Sequence, residues 1–102
     1  MIGLAAGLLV MVIEFTVVPE QRDAFVAISA EQVDAVRARE RNRGFDVLVD
    51  PKRPDKVVYI ERWDTAEQQE AFFQWWIGQG LTEKLRPYVT ATPSISTYET
   101  ID

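Results

Sequence analysis

Histidine and cysteine are both absent from the 102 residues of this chain. Without cysteine, disulfide bonds and thiolate metal sites are excluded. Without histidine, the chain lacks the commonest transition-metal ligand and the commonest general base near neutral pH. The carboxylates are scattered without metal-site spacing, and the sequence contains no phosphate loop, dinucleotide fingerprint or nucleophilic triad. The sequence therefore predicts a protein that uses no metal and no cofactor.

An excess of positive charge is also absent, because the net charge is −5. This charge disfavours non-specific attraction to nucleic-acid phosphates. The apolar opening, residues 1–13, has no preceding basic residue, and Glu14 stops it short of a membrane span. We therefore expect a cytoplasmic protein with neither a nucleic-acid nor a membrane partner. The chain length predicts one domain over residues 1–102, with its core at about 8–101. Met1 and Met11 are both possible natural starts of the protein.

The segment 57–64 organises the rest of the chain. In a strand, alternate side chains point to opposite faces, so Val57, Tyr59, Glu61 and Trp63 share one face. A carboxylate between two large aromatic residues is typical of an apolar cavity that contains one polar group. The segment thus predicts the floor of a ligand pocket.

The other patterns predict a strand, a helix and a hairpin, then a second helix and a last strand. Proline and glycine mark where these elements end. The helix over 21–43 ends in an arginine-rich turn, which Gly44 follows as a left-handed stop. Residues 51–55, with two prolines, form the hairpin turn. Thr65 and Gln68 form a capping box at the second helix. The predicted strands cover 8–17, 45–50, 56–63 and 94–101, and the second helix is followed by a short helix over 81–85.

This order predicts a ferredoxin-like βαββαβ α+β fold, an antiparallel sheet with both helices on one face. The opposite face of the third strand carries Val58 and Ile60, so the sheet is apolar on both sides. A second copy of the domain is the simplest cover for that face, which predicts a homodimer.

Five motifs follow one another along the chain: Val18-Pro19 before a helix, Gly44-Phe45 at a strand start, Asp50-Pro51 in a turn, the segment 57–64, and the closing segment 96–99. In this order they resemble the motifs of the antibiotic biosynthesis monooxygenase (ABM) family. The resemblance covers roughly residues 8–101. It implies a dimeric α+β barrel with a pocket in each subunit between the sheet and the helices. Activities in the family include cofactor-free oxidation of phenols to quinones with O₂ and haem degradation.

A residue-by-residue comparison with the family excludes one of these activities and partly matches another. Haem degradation needs an axial histidine, which this chain lacks; a histidine common on the family's second helix corresponds to Phe72. The quinone-forming branch uses a tryptophan and an arginine, matched here by Trp63 and Arg86. Its asparagine and tyrosine positions hold Tyr59 and Gln69.

Several residues have both a functional and a structural interpretation. A pocket would raise the pKa of Glu61 and make it a candidate base, whereas at the surface it would pair with Arg62 or Lys84. Arg86 is interpreted either as an anion ligand or as a helix cap. Tyr59 is a candidate hydrogen-bond donor, either to a bound carbonyl group or to Glu61. Adjacent tryptophans point about 100° apart on a helix, so Trp75 and Trp76 are not expected to be equally buried. The residues predicted to contact the ligand are Phe45, Phe72, Trp75, Trp76 and Tyr88.

Three functions remain open from the sequence. The first is a dimer that binds a small aromatic or polycyclic molecule, such as a phenol, and oxidises it with O₂ without a cofactor, with Trp63, Tyr59, Glu61 and Arg86 as catalytic residues. The second is a non-catalytic ligand-binding or stress-response module. The third is a dimer in which the aromatic residues fill the pocket.

Overall fold

The computed structural model describes residues 7–101. It contains four strands, four α-helices and two short 3-10 turns, at Pro19–Gln21 and Arg86–Tyr88. The strands and helices run in the order β1 (Leu9–Thr16), α1 (Arg22–Ala30), α2 (Val33–Arg37), β2 (Asn42–Asp50), β3 (Arg53–Trp63), α3 (Ala66–Gly78), α4 (Leu81–Leu85) and β4 (Ser94–Glu99).

The strands form one antiparallel sheet in the order β2-β3-β1-β4. The predicted ferredoxin-like α+β fold is therefore confirmed. Tyr59 on β3 pairs with Ile13 on β1 and with Val47 on β2, so these residues share a face of the sheet. The helices make their main sheet contacts with β2 and β3. The β1–β4 side of the same face is less covered, and the candidate site lies there.

Strand β3 separates the two faces of the sheet. Its four inner residues, Val57, Tyr59, Glu61 and Trp63, are between 0 and 3% exposed. Val58, Ile60 and Arg62 on the outer face are only half-buried. The predicted alternation is correct, because the period of a strand fixes which side chains face the helices.

Helix α3 begins where its sequence predicts. The Thr65 hydroxyl accepts a hydrogen bond from the backbone N–H of Gln68 at 3.1 Å, which satisfies one of the free donors of the first turn. After Gly78 the chain turns at Gly80, which has a left-handed φ of 74° that glycine adopts without strain. This turn separates α3 from α4.

The prediction of one helix over 21–43 is wrong. The chain forms α1 and α2, separated at Glu31 and Gln32 by a turn in which the Gln32 N–H bonds to the Ser29 carbonyl at 3.0 Å. Helix α2 ends at Arg37, so three of the four arginines follow the helix instead of completing it. Asp64 pairs with Arg41 and Arg43, Arg39 lies over the ring of Trp75, and Arg37, inside the helix, pairs with Asp46.

Gly44 is not the left-handed stop either. It lies in β2, and the residue with positive φ is Arg41, at 68°. Asp64 explains this conformation: its N–H bonds to the Arg41 carbonyl at 3.0 Å, and its carboxylate pairs with Arg41 at 3.4 Å and with Arg43 at 2.7 Å. The Arg43 contact is also the main reason that the pKa of Asp64 is lowered.

The hairpin turn is shorter than the predicted 51–55. Asp50 pairs with Arg53, so only Pro51 and Lys52 connect the strands, and the Asp50 carboxylate accepts the Lys52 N–H at 2.9 Å. Strand β3 therefore starts three residues earlier than predicted. The first and last strands lie at their predicted positions with slightly shorter ends.

Candidate functional site

A cavity lies between the inner face of the sheet and α3. Its volume is about 220 Å³, and it contains the Glu61 side chain, so we call it the Glu61 cavity. Phe73 and Ile95 stand at its mouth and are 44% and 60% exposed. The aromatic residues therefore do not fill the pocket. The cavity is lined by Ile13, Phe15, Tyr59, Glu61, Phe72, Phe73, Trp76, Thr82, Pro93 and Ile95.

Glu61 is the only carboxylate among the lining residues, and it is 2% exposed. The indole N–H of Trp63, two residues along β3, donates to its Oε1 at 3.0 Å. Burial raises the pKa of Glu61, and the hydrogen bonds from Trp63 and Gln69 oppose that shift. The result is a carboxyl group that binds a proton more readily than one in water, located where a ligand would touch it.

Tyr59 presents its ring to this cavity, but its hydroxyl is engaged elsewhere. The buried Ser29 hydroxyl donates to the Phe25 carbonyl at 2.9 Å, and it also bonds to the Tyr59 hydroxyl. A serine hydroxyl has a single proton, so Tyr59 must be the donor to Ser29. Burial also raises the pKa of Tyr59. Tyr59 is thus a fixed aromatic wall, and its proton is not available to a ligand.

Trp63 does not line the cavity. It is fully buried behind Phe72, with the two ring centroids 5.0 Å apart. Its contact with the site is the hydrogen bond to Glu61, so the structure gives it the position of a supporting residue. The hydrogen bond also gives the buried indole N–H an acceptor, and burying that N–H without one would be costly.

The adjacent tryptophans of α3 occupy different environments. Trp76 is 7% exposed, lines the cavity and contacts Tyr59, with ring centroids 6.0 Å apart. Trp75 is half-buried on another side of the helix, where the guanidinium of Arg39 lies 5.1 Å from its ring centroid. The 100° step between neighbouring helical residues accounts for this difference.

Of the five residues predicted to contact a ligand, Phe72 and Trp76 line the cavity. Phe45 is fully buried beneath Tyr59, at a centroid distance of 5.3 Å. Tyr88 packs against the core outside the lining. Phe45 therefore packs behind the wall that Tyr59 forms, and neither Tyr88 nor Trp75 lines the cavity.

Arg86 lies away from Glu61. Its guanidinium forms an exposed ion pair with Glu83, with N–O distances of 2.8 and 3.2 Å, and it lines a smaller neighbouring cavity. The two residues matched to the quinone-forming branch of the family, Trp63 and Arg86, are therefore both outside the Glu61 cavity.

Sequence reasoning missed several residues of the wall. Ile13 and Phe15 lie on the inner face of β1, and β1 is apolar on both faces, so the alternation gave no sign of which residues face inward. Phe73, Thr82, Pro93 and Ile95 are brought together only by the tertiary fold. Ser29 does not line the cavity but fixes the Tyr59 hydroxyl, and it had a weak signal as a small polar residue at an apolar helix position.

Residues 7–101 contain no group of three or more metal-ligating side chains close enough together to hold an ion. Within the same range, no helix has the length and apolar character required to cross a membrane.

The fold defines the class of protein as a ferredoxin-like α+β domain with an apolar cavity beside its sheet. Residues 8–75, from the start of β1 to near the end of α3, match the family model described as antibiotic biosynthesis monooxygenase. The chain therefore belongs to the antibiotic biosynthesis monooxygenase family, as its sequence motifs predicted.

Solved structures share the fold at low sequence identity. A conserved protein from Methanosarcina mazei Go1 has a TM-score of 0.83 at 14% identity, with 92% of this chain and 93% of that chain covered. An antibiotic biosynthesis monooxygenase has a TM-score of 0.82 at 18% identity, with 92% and 99% covered. Rv0793 from Mycobacterium tuberculosis has a TM-score of 0.82 at 15% identity, with 93% and 96% covered. No curated protein matches the chain.

Proposed function

We propose that this protein binds a small phenolic molecule in the Glu61 cavity and oxidises it with O₂ without a cofactor. The observation that carries the proposal is a buried carboxyl group in an otherwise apolar cavity. Membership of a family named for monooxygenases supports the reaction type. A related structure of the same fold is itself named an antibiotic biosynthesis monooxygenase.

The size of the cavity narrows the substrate class. An apolar cavity of about 150 Å³ holds benzene in another protein, and drug-sized ligands occupy about 300–1,000 Å³. The Glu61 cavity, at about 220 Å³, falls between these values. We therefore favour a phenol with one or two fused rings over a larger polycyclic substrate.

In the proposed reaction, the Glu61 carboxylate accepts the proton of the substrate hydroxyl. The electron-rich anion then supplies the electrons that reduce O₂. For 1-naphthol the balance is one naphthol and one O₂ giving one 1,4-naphthoquinone and one water: one oxygen atom enters the ring and the other leaves as water. The proton held by Glu61 is returned when that water forms. The apolar walls keep bulk water away from the anion.

Incubation of the protein with 1-naphthol in air tests the proposal. We expect naphthoquinone absorbance to rise and O₂ to be consumed in equal molar amounts, with a metal chelator present throughout. Naphthalene, which lacks the hydroxyl, is the control and should give no product. A rate equal to that of buffer, with binding of 1-naphthol demonstrated, would contradict the oxidation.

A non-catalytic binding module is the second candidate. The observation that favours it is the small number of reactive groups: the Tyr59 hydroxyl donates its hydrogen bond to Ser29, and Arg86 lies outside the cavity. In this candidate, Glu61 only accepts a hydrogen bond from the ligand or donates one to it. Saturable quenching of tryptophan fluorescence by 1-naphthol, without O₂ uptake, is the result that distinguishes this candidate.

We also propose that the protein forms a homodimer through the outer face of the sheet. Val58 and Ile60 are half-buried there, Leu48 is 43% exposed and Tyr98 is 59% exposed, which leaves an apolar surface for a second copy to cover. Family membership supports the same assembly.

Ile60→Glu should shift the dimer toward monomer, because it brings two carboxylates together across a symmetric interface. Sedimentation equilibrium over a range of protein concentrations measures this change. Ala27→Glu, an equal change of charge on the exposed side of α1, is the control. A wild-type protein that sediments as a monomer at high concentration would exclude the proposed dimer.

A further inference from the structure

A second, smaller cavity adjoins the Glu61 cavity. It has a volume of about 140 Å³ and contains Arg86 at its wall, so we call it the Arg86 cavity. Four residues line both cavities, which makes them neighbouring parts of one groove. The shared residues are Phe15, Trp76, Thr82 and Pro93, and the Arg86 cavity adds Leu85, Arg86 and Val89.

The two ends of this groove have opposite electrostatic character. Glu61 is the only carboxylate in the wall of its cavity, and a negatively charged group beside it would be repelled. Arg86 is the only charged residue in the wall of the second cavity. Between the two ends, the shared wall consists of two aromatic rings, a threonine and a proline. A ligand that spans the groove therefore has a neutral ring at one end and an anionic group at the other.

The Glu83 partner does not prevent Arg86 from binding an anion. Arg86 and Glu83 have side chains that are 65% and 74% exposed, and they lie three residues apart on the same turn. Exposed ion pairs are weak, so a ligand carboxylate is able to compete with Glu83 or to share the guanidinium with it. A planar guanidinium has donors enough for both partners.

We propose that the physiological ligand is a phenol with a short acidic side chain, whose ring occupies the Glu61 cavity and whose carboxylate reaches Arg86. This inference rests on the proposed function for the position of the ring. It assigns a binding role to the Arg86 cavity and orients the ligand within the groove. Arg86 acts on the side chain and does not contact the reacting ring.

Three compounds test the inference: 1-naphthol, 1-naphthol with a butanoate side chain on its second ring, and the methyl ester of that acid. Binding is measured by quenching of tryptophan fluorescence. We expect the wild type to bind the acid about three- to fivefold more tightly than the ester, the size typical of an exposed ion pair. The difference should shrink in high salt, which screens exposed charges.

Two variants separate the charge of Arg86 from its surroundings. Arg86→Gln should bind the acid and the ester equally while binding 1-naphthol as the wild type does. Glu83→Gln, which removes the competing carboxylate, should increase the preference for the acid by about twofold. Circular dichroism and thermal melting check that both variants fold like the wild type, which the exposure of both side chains leads us to expect.

The outcomes distinguish this inference from the proposed function. If 1-naphthol binds but the acid has no advantage, or if the advantage survives in Arg86→Gln, the role of the Arg86 cavity is wrong and the proposed function stands. If neither 1-naphthol nor its derivatives bind, the proposed function and the inference are both wrong.

Discussion

Glu61→Gln should lower the rate of naphthoquinone formation by about 10²–10⁴-fold, the usual effect of removing a general base. Glutamine has nearly the same shape, and its carbonyl oxygen is able to accept the Trp63 N–H that Glu61 now accepts at 3.0 Å. We therefore expect the variant to fold and to bind 1-naphthol with an affinity within about threefold of wild type, since the apolar walls provide most of the contact.

Stopped-flow or steady-state absorbance measures the rate, and fluorescence quenching measures the binding. Glu67→Gln is the matched control, because it is the same substitution at an exposed position in the first turn of α3. An active Glu61→Gln variant would show that the substrate loses its proton to another group. Parallel loss of binding and rate would show that the carboxylate holds the ligand instead of acting as a base.

The ionisation of Glu61 should also make both the rate and the stability of the protein depend on pH. Burial raises the pKa of Glu61 above its ordinary 4.5, and only the ionised form accepts a proton. The rate should therefore increase as the pH rises through that raised pKa and then level off. The folded state binds the Glu61 proton more tightly than the unfolded state does. The stability of the wild type relative to Glu61→Gln should consequently fall as the pH rises from about 4.5 through the raised pKa.

Trp63→Ala should lower the free energy of unfolding by about 3–5 kcal/mol, the usual cost of truncating a buried aromatic residue. Trp63 has no exposed surface, and its ring packs on Phe72 at the centroid distance of 5.0 Å. The truncation leaves a cavity behind Phe72 and removes one of the hydrogen bonds to the buried Glu61. Because small domains have total stabilities of about 5–15 kcal/mol, this loss is a large fraction of the whole.

Trp63→Phe separates packing from hydrogen bonding. It retains an aromatic ring and loses the indole N–H, so we expect a smaller loss of about 1–2 kcal/mol and a further rise in the pKa of Glu61. Urea unfolding followed by circular dichroism measures the stability of all three proteins. A loss below about 1 kcal/mol for Trp63→Ala would mean that this part of the core is not closely packed.

The parts that the sequence predicted correctly are those fixed by local geometry. The alternation in β3 requires Tyr59, Glu61 and Trp63 to share a face, and the hydrophobic pattern identifies that face as the buried one. The cap at Thr65 depends on residues three apart, so its position was also predictable. Both features involve neighbours in the chain and need no knowledge of distant contacts.

The parts that could not be predicted depend on residues far apart in the sequence. Tyr59 was expected to donate a hydrogen bond to a ligand or to Glu61, but the hydroxyl of Ser29, thirty residues earlier, accepts that hydrogen bond. The helix prediction over 21–43 failed at its C-terminal end because Asp64, which follows β3, pairs with Arg41 and Arg43. Family resemblance matched Arg86 by its order in the chain, and order does not determine which cavity a side chain lines.

Because the three tryptophans have different surroundings, their fluorescence can report whether the Glu61 cavity is occupied. A molecule entering the Glu61 cavity touches Trp76 directly, whereas Trp63 is shielded behind Phe72 and Trp75 lies under Arg39 on another side of the helix. Quenching that disappears in Trp76→Phe and persists in Trp75→Phe would therefore locate a bound aromatic molecule without an attached dye.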